Sequence, residues 1–187
     1  MPDLNELAKR FHSYEVADKS DFQRTARTLQ SVWREEQGFE VGVYKTKSLE
    51  RLLGSTLVMP WAEESLANYI TDTVRRVVRE EVMDKAKRRG KLFGRPRIFN
   101  NLLSSQPLCF NLFGELSQDL ELATAVFKDI TSGRVQSVTS IEFEESPGRG
   151  DSKYTGDNSA FDVFVTFNTA GGGEDLLASR SSTTKTS

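Results

Sequence analysis

Apolar residues recur at helical spacing early in the chain: Phe22, Ala26, Leu29 and Trp33 lie three or four positions apart, behind Ser20 and Gln23 in capping-box spacing. This pattern predicts a helix from Ser20 to about Gly38. Residues 39–57 mix Gly42 and Gly54 with Val41, Val43 and Tyr44 without a clean period, and read as a connector with room for one short strand. Pro60 is suited to open a helix, and Glu63 and Glu64 in the next turn complement the helix dipole. Leu66, Tyr69, Ile70, Val74, Val77, Val78 and Val82 continue a 3.6-residue stripe. One long amphipathic helix to Lys87 is therefore predicted.

Seven of the thirteen residues from Lys85 to Arg97 are basic, and Gly90, Gly94 and Pro96 make this stretch a loop. Two short helical pieces follow, Ile98 to Ser105 and Leu108 to Leu116, divided by Pro107, which has no backbone N–H for a helix interior. Leu120, Leu122, Ala125, Val126 and Ile130 predict a further helix that stops at Gly133. The period then changes to two. Val135, Ser137, Thr139, Ile141 and Phe143 share one face of a strand, and Phe161, Val163, Val165 and Phe167 share one face of another. The loop between them is rich in turn formers and carries Arg149 and Lys153. Ten of the eighteen residues from Ala170 onward are Gly, Ser or Thr. They show no period, and the expectation is a disordered tail without a strand.

Composition narrows the class. The chain has 187 residues, 37% of them apolar and 28% charged, which suits one soluble domain. A formal net charge of -2 gives no global attraction to nucleic acid. Cys109 is the single cysteine and His12 the single histidine, so neither a disulfide framework nor a Cys/His zinc site can be built. No run of 18 apolar residues occurs, and Met1 is not followed by a basic segment and an apolar core. A cytoplasmic protein without a membrane segment is expected.

Asp162 interrupts the apolar run F-D-V-F-V-T-F. With a period of two it faces away from Phe161, Val163 and Val165, which alone describes a solvent-facing strand residue. The runs L-L-S-S-Q-P-L-C-F-N-L-F-G-E-L, from Leu102 to Leu116, and S-P-G-R-G-D-S-K-Y-T-G-D-N-S-A-F-D-V-F-V, from Ser146 to Val165, add context. Over about residues 20–168 the chain resembles a bacterial branch of the PD-(D/E)XK nuclease-like superfamily. The resemblance implies an α/β, restriction-endonuclease-like fold. Residues 1–95 would form an N-terminal helical region with a basic loop, 96–168 an incomplete α-β-β core, and 169–187 the disordered tail.

The resemblance also implies a site. Relatives would hydrolyse nucleic-acid phosphodiesters with Mg2+, a hard cation that takes carboxylate ligands, and Asp162 with Glu115 would be the catalytic and metal-binding acids. A third strand reading approximately G-F-I-G-I-E-V-K-Y should complete the site. Its Glu and Lys, two apart, share one face, and the lysine would orient or deprotonate the attacking water. Residues 170–187 contain no Glu-x-Lys. Read one frame over, however, the possible codons from Glu174 to Ser187 permit R-F-I-G-I-E-V-K-Y-H-E-D-L. A frame change near Gly171 to Gly173 is therefore expected, leaving a chain that is inactive as written and a doubtful Mg2+ binder.

The remaining candidates have two readings each. Glu115 is either a metal-site acid or a surface glutamate. Arg95 and Arg97, with Phe93 and Phe99 nearby, either grip phosphates and stack on bases or form solvated surface, as do Arg149 and Lys153. His12 reads as a surface residue and Cys109 as a small buried hydrophobe. The alternative function is a non-catalytic module that binds nucleic acid, DNA or another, or a protein. Loss of the third strand would also leave residues 161–167 as an open sheet edge through which copies self-associate.

Overall fold

The structure, a computed structural model, describes residues 3–87, 91–145 and 160–179. It contains helices and small antiparallel sheets, in keeping with the α/β class. The chain forms two compact units, residues 1–68 with 94–107 and residues 69–93 with 108–187. The chain passes between them at three points, so no single boundary such as residue 95 separates them.

The first unit contains α1 (Leu4–Arg10), α2 (Asp21–Glu36), β1 (Val41–Lys45), β2 (Glu50–Leu57), α3 (Trp61–Ser65) and, in the returning segment, α5 (Arg97–Asn100). The capping box forms as expected: Ser20 Oγ accepts from Gln23 N, and the Gln23 side chain accepts from Ser20 N. Residues 39–57 hold a full antiparallel hairpin rather than one short strand, with Val43 opposite Leu52 and Lys45 opposite Glu50.

Helix α2 is turned the other way from its sequence pattern. An apolar stripe ordinarily faces the core, yet Phe22 is 80% and Leu29 63% exposed, while Thr28, Ser31 and Arg34 are buried. Hydrogen bonds explain this orientation. Thr28 and Ser13 share a buried hydroxyl bond of 2.8 Å, Arg34 Nε donates to the Gly54 carbonyl at 2.9 Å, and Arg34 also donates to the Phe39 carbonyl. Arg27 donates to both Asp18 carboxylate oxygens and to Ser55 Oγ. Gly54 leaves no room between α2 and β2, since a Cβ there would lie 2.5 Å from Ser31 Oγ and 2.0 Å from the Phe11 carbonyl oxygen. Small polar residues let the backbones approach, and large apolar ones cannot occupy that seam.

The second unit contains α4 (Asp72–Val78), continued by one π-helical turn at Arg79–Met83, then α6 (Ser105–Gln118), α7 (Leu120–Ile130), β3 (Val135–Glu145), β4 (Phe161–Thr169) and β5 (Glu174–Ser179). The long helix expected from Pro60 to Lys87 is broken. Leu66 adopts a left-handed conformation, φ 53, that ends α3, and Thr71 starts α4 afresh as its N-cap. Pro107 lies in the first turn of α6, where an absent N–H breaks no bond, so the two predicted pieces do not divide there. Gly114 brings α6 close to α4, since a Cβ there would stand 3.1 Å from Val74 Cγ2.

Strands β3, β4 and β5 form one antiparallel sheet in that order. The disordered, strandless tail is thus corrected up to Ser179: Gly172, at φ 79, helps to turn the chain, and residues 174–179 pair along β4. Residues 180–187 lie outside the described residues. Strand β4 is accordingly central, and from Val163 to Phe167 the edge expected to be open is paired with β5. Val163, Val165 and Phe167 are buried on one face as the alternation requires. On β3, register shifts between Val135 and Ser137 and between Val138 and Ser140 bury Val135, Val138 and Phe143 instead of the predicted odd-numbered series. Phe110 of α6 stacks on Phe143 with ring centroids 4.1 Å apart and meets Tyr69 edge-on. Both rings are buried in the unit's core, with Val74, Val77 and Val78 of α4 also buried.

Candidate functional site

The Asp162 end of β4 gathers the polar groups of the second unit. Phe143 pairs with Val163 and Glu145 with Phe161, so Glu144 lies across from Asp162 between those pairs. Glu144 has a left-handed backbone, φ 53, and is only 6% exposed although Phe143 before it is also buried. The left-handed residue interrupts the pleat, which is how two consecutive residues come to be enclosed. Cys109 of α6 feels both carboxylates. Burial, then the Asp162 carboxylate, then that of Glu144 push its thiol up to about 12. A thiol in that field stays protonated at neutral pH and is no anionic ligand or nucleophile.

The next carboxylates on β3 respond to one another. Partial desolvation, followed by the neighbouring Glu145, raises Glu142 above the ordinary carboxylate range, Lys91 opposing and Glu81 adding to the shift. Lys91 Nζ holds Glu81 Oε2 at 2.7 Å. Sequence reasoning missed Glu142 and Glu144. Their signal was the acidic run E-F-E-E at the end of a strand, but the enclosure of Glu144 depends on a backbone conformation that alternation does not reveal.

Glu115 sits on α6, and its carboxylate accepts the hydroxyl proton of Thr71. The same hydroxyl oxygen accepts from Val74 N at 3.1 Å as the cap of α4. Glu115 is therefore engaged in holding a helix start.

A divalent ion is implied by the resemblance, and the donors among the described residues do not form a site for one. Among the described residues no three His, Cys, Asp or Glu side chains gather as metal ligands. Glu115 is committed to Thr71, and the Cys109 thiol is held protonated. Toward the Asp162 end of β4, strand β5 sets Ala178 opposite Phe164 and Leu177 opposite Val165, neither of which can bind a cation or orient water, while its carboxylates Glu174 and Asp175 lie at the far end opposite Asn168 and Phe167, with Asp175 paired to Arg134.

The basic residues are engaged locally. In the first unit Arg95 pairs with Glu63 at 2.9 Å and lies 5.0 Å over the Phe99 ring, while the Arg97 side chain packs against Gly94. Arg149 and Lys153 lie outside the described residues, as do residues 88–90 of the basic loop. His12 is exposed, its carbonyl accepting from Gly54 N at 2.8 Å. No described helix is long and apolar enough to cross a membrane.

A family model described as PD-(D/E)XK nuclease superfamily matches residues 17–178, nearly the whole described chain. Neither the curated proteins nor the solved structures contain a match.

Proposed function

Because the chain belongs to the PD-(D/E)XK nuclease superfamily, we propose that it is a non-hydrolysing relative of the metal-dependent phosphodiesterases that act on nucleic acid. The observation that carries this reading is the content of β5. The strand that flanks Asp162's own strand reads Glu-Asp-Leu-Leu-Ala-Ser where the superfamily resemblance requires Glu-x-Lys. Phosphodiester hydrolysis needs a cation clamp and a group that prepares water, and one aspartate supplies a single ligand of several. Glu144, across from Asp162, adds a second carboxylate but no lysine. The retained fold positions Asp162 without the chemistry that would use it.

A cleavage assay on single- and double-stranded DNA with Mg2+ or Mn2+ tests this. The expected result is no cleavage above that of an Asp162→Ala preparation. Cleavage by the unaltered chain that disappears in Asp162→Ala overturns the proposal.

A binding module is the second reading, and the outward apolar face of α2 is the observation that favours it. Arg95 and Arg97 contribute less to that reading, because their described contacts, with Glu63 and with Gly94, lie within the first unit. Direct DNA binding would appear as affinity that falls steeply with added salt.

A further inference from the structure

Helix α2 carries an apolar stripe that its own unit covers only at the Trp33 end. Phe22, Ala26, Leu29 and Trp33 follow one another along about three turns of a helix roughly 24 Å long. Phe22 is 80% and Leu29 63% exposed, and Trp33 is half-buried with its ring edge-on to Phe39 at 5.8 Å. The orientation is fixed from beneath. Arg34 and Thr28 are bonded into the inner seam, and Gly54 packs directly against Ser31, so the helix cannot roll to bury its stripe.

We propose that this face docks on the same face of a second copy of this chain, the two α2 helices running antiparallel. Charge decides between a copy in parallel and one in antiparallel. At the start of α2 the exposed charges are Lys19, Asp21 and Arg24, one positive in excess, with Asp21 and Arg24 paired at 2.5 Å. At its end the exposed charges are Glu35 and Glu36; Arg34 is buried, bonded to main-chain carbonyls and 3.9 Å from Glu35, which leaves Glu36 as the negative charge without an ion pair among the described residues. Glu35 is 3.9 Å from Arg10 and remains 47% exposed. A parallel pair would set like ends together, whereas an antiparallel pair brings each positive end to a negative one, twice by symmetry.

Centring the crossing between Ala26 and Leu29 then places Phe22 of one copy against Trp33 of the other and Lys19 against Glu36. Ala26 at the crossing lets the helices approach closely, and its neighbour across the axis is Leu29. One helix pair buries less than a standard stable interface, so the dimer is concentration-dependent.

Sedimentation velocity on the full chain over a wide concentration range tests the proposal, with circular dichroism and melting as the check on folding. The unaltered chain is expected to pass from monomer to dimer, more readily at low ionic strength. Leu29→Asp is expected to weaken the dimer at least about tenfold while leaving the melt unchanged, since Leu29 already faces solvent. Lys19→Glu is expected to weaken it several-fold, and Lys19→Glu with Glu36→Lys to restore it. A monomer at every concentration, or an undiminished dimer from Leu29→Asp, overturns the docking face. Failure of the charge exchange to restore association overturns the antiparallel arrangement.

Discussion

The Thr71 hydroxyl joins two helices of the second unit: it donates to the Glu115 carboxylate of α6 and accepts the Val74 N–H as the cap of α4. Replacing it as Thr71→Val removes the cap and leaves a half-buried carboxylate short of a donor. The expected loss of stability is about 1–2 kcal/mol, read as a lower urea midpoint with an unchanged slope, and Thr71→Ser should recover most of it. An unchanged midpoint for Thr71→Val would show that Glu115 is not held by this contact.

Glu142 gives a pH dependence of defined sign. Its carboxyl is raised above the ordinary value of 4.5 in the folded chain by desolvation and by Glu145. A raised acid favours folding below the unfolded value, and that contribution is lost as pH rises through the folded value. At neutral pH the ionised side chain therefore opposes folding. Glu142→Gln should melt higher than the unaltered chain at pH 7, the gain shrinking as pH falls through the raised folded value toward 4.5 and vanishing below it. Exposure of the side chain keeps the effect small. A melting difference that grows toward acid would contradict the assignment.

Restoring the alternate frame should restore chemistry. Ser179 pairs with Val163, next to Asp162, and the glutamate of R-F-I-G-I-E-V-K-Y-H-E-D-L uses the codons of Ser179 and Arg180. A chain with that sequence in place of residues 174–187 is expected to cleave DNA with Mg2+ and to lose the activity as Asp162→Ala. Continued inactivity in a folded replacement would argue against the frame reading. So would a gene whose codons from Ser179 to Ser182 do not spell Glu-Val-Lys one frame over.

How much was legible varied with how local the cause was. Helix α7 and strand β4 are readable because their periods are strong and their stops, Thr131 to Gly133 and the turn at Gly172, are local. The orientation of α2 was not readable, because a polar inner face competes with an apolar stripe only when Gly54 and Ser13 are already in place. The break after α3 depends on a left-handed leucine, a conformation that no pattern of apolar residues announces. Asp162 was legible from its interruption of an apolar run. Glu144 owes its burial to backbone geometry, and Glu115 owes its engagement to Thr71, 44 residues earlier in the chain.

The β4–β5 pairing also says something about tolerance. A ladder of N–H and C=O groups does not recognise side chains, so β4 accepts along its edge a segment with little strand preference of its own. Backbone pairing and chemical identity are thereby decoupled at that edge. The sheet can keep its shape whatever side chains its last strand carries, because main-chain groups alone make the ladder.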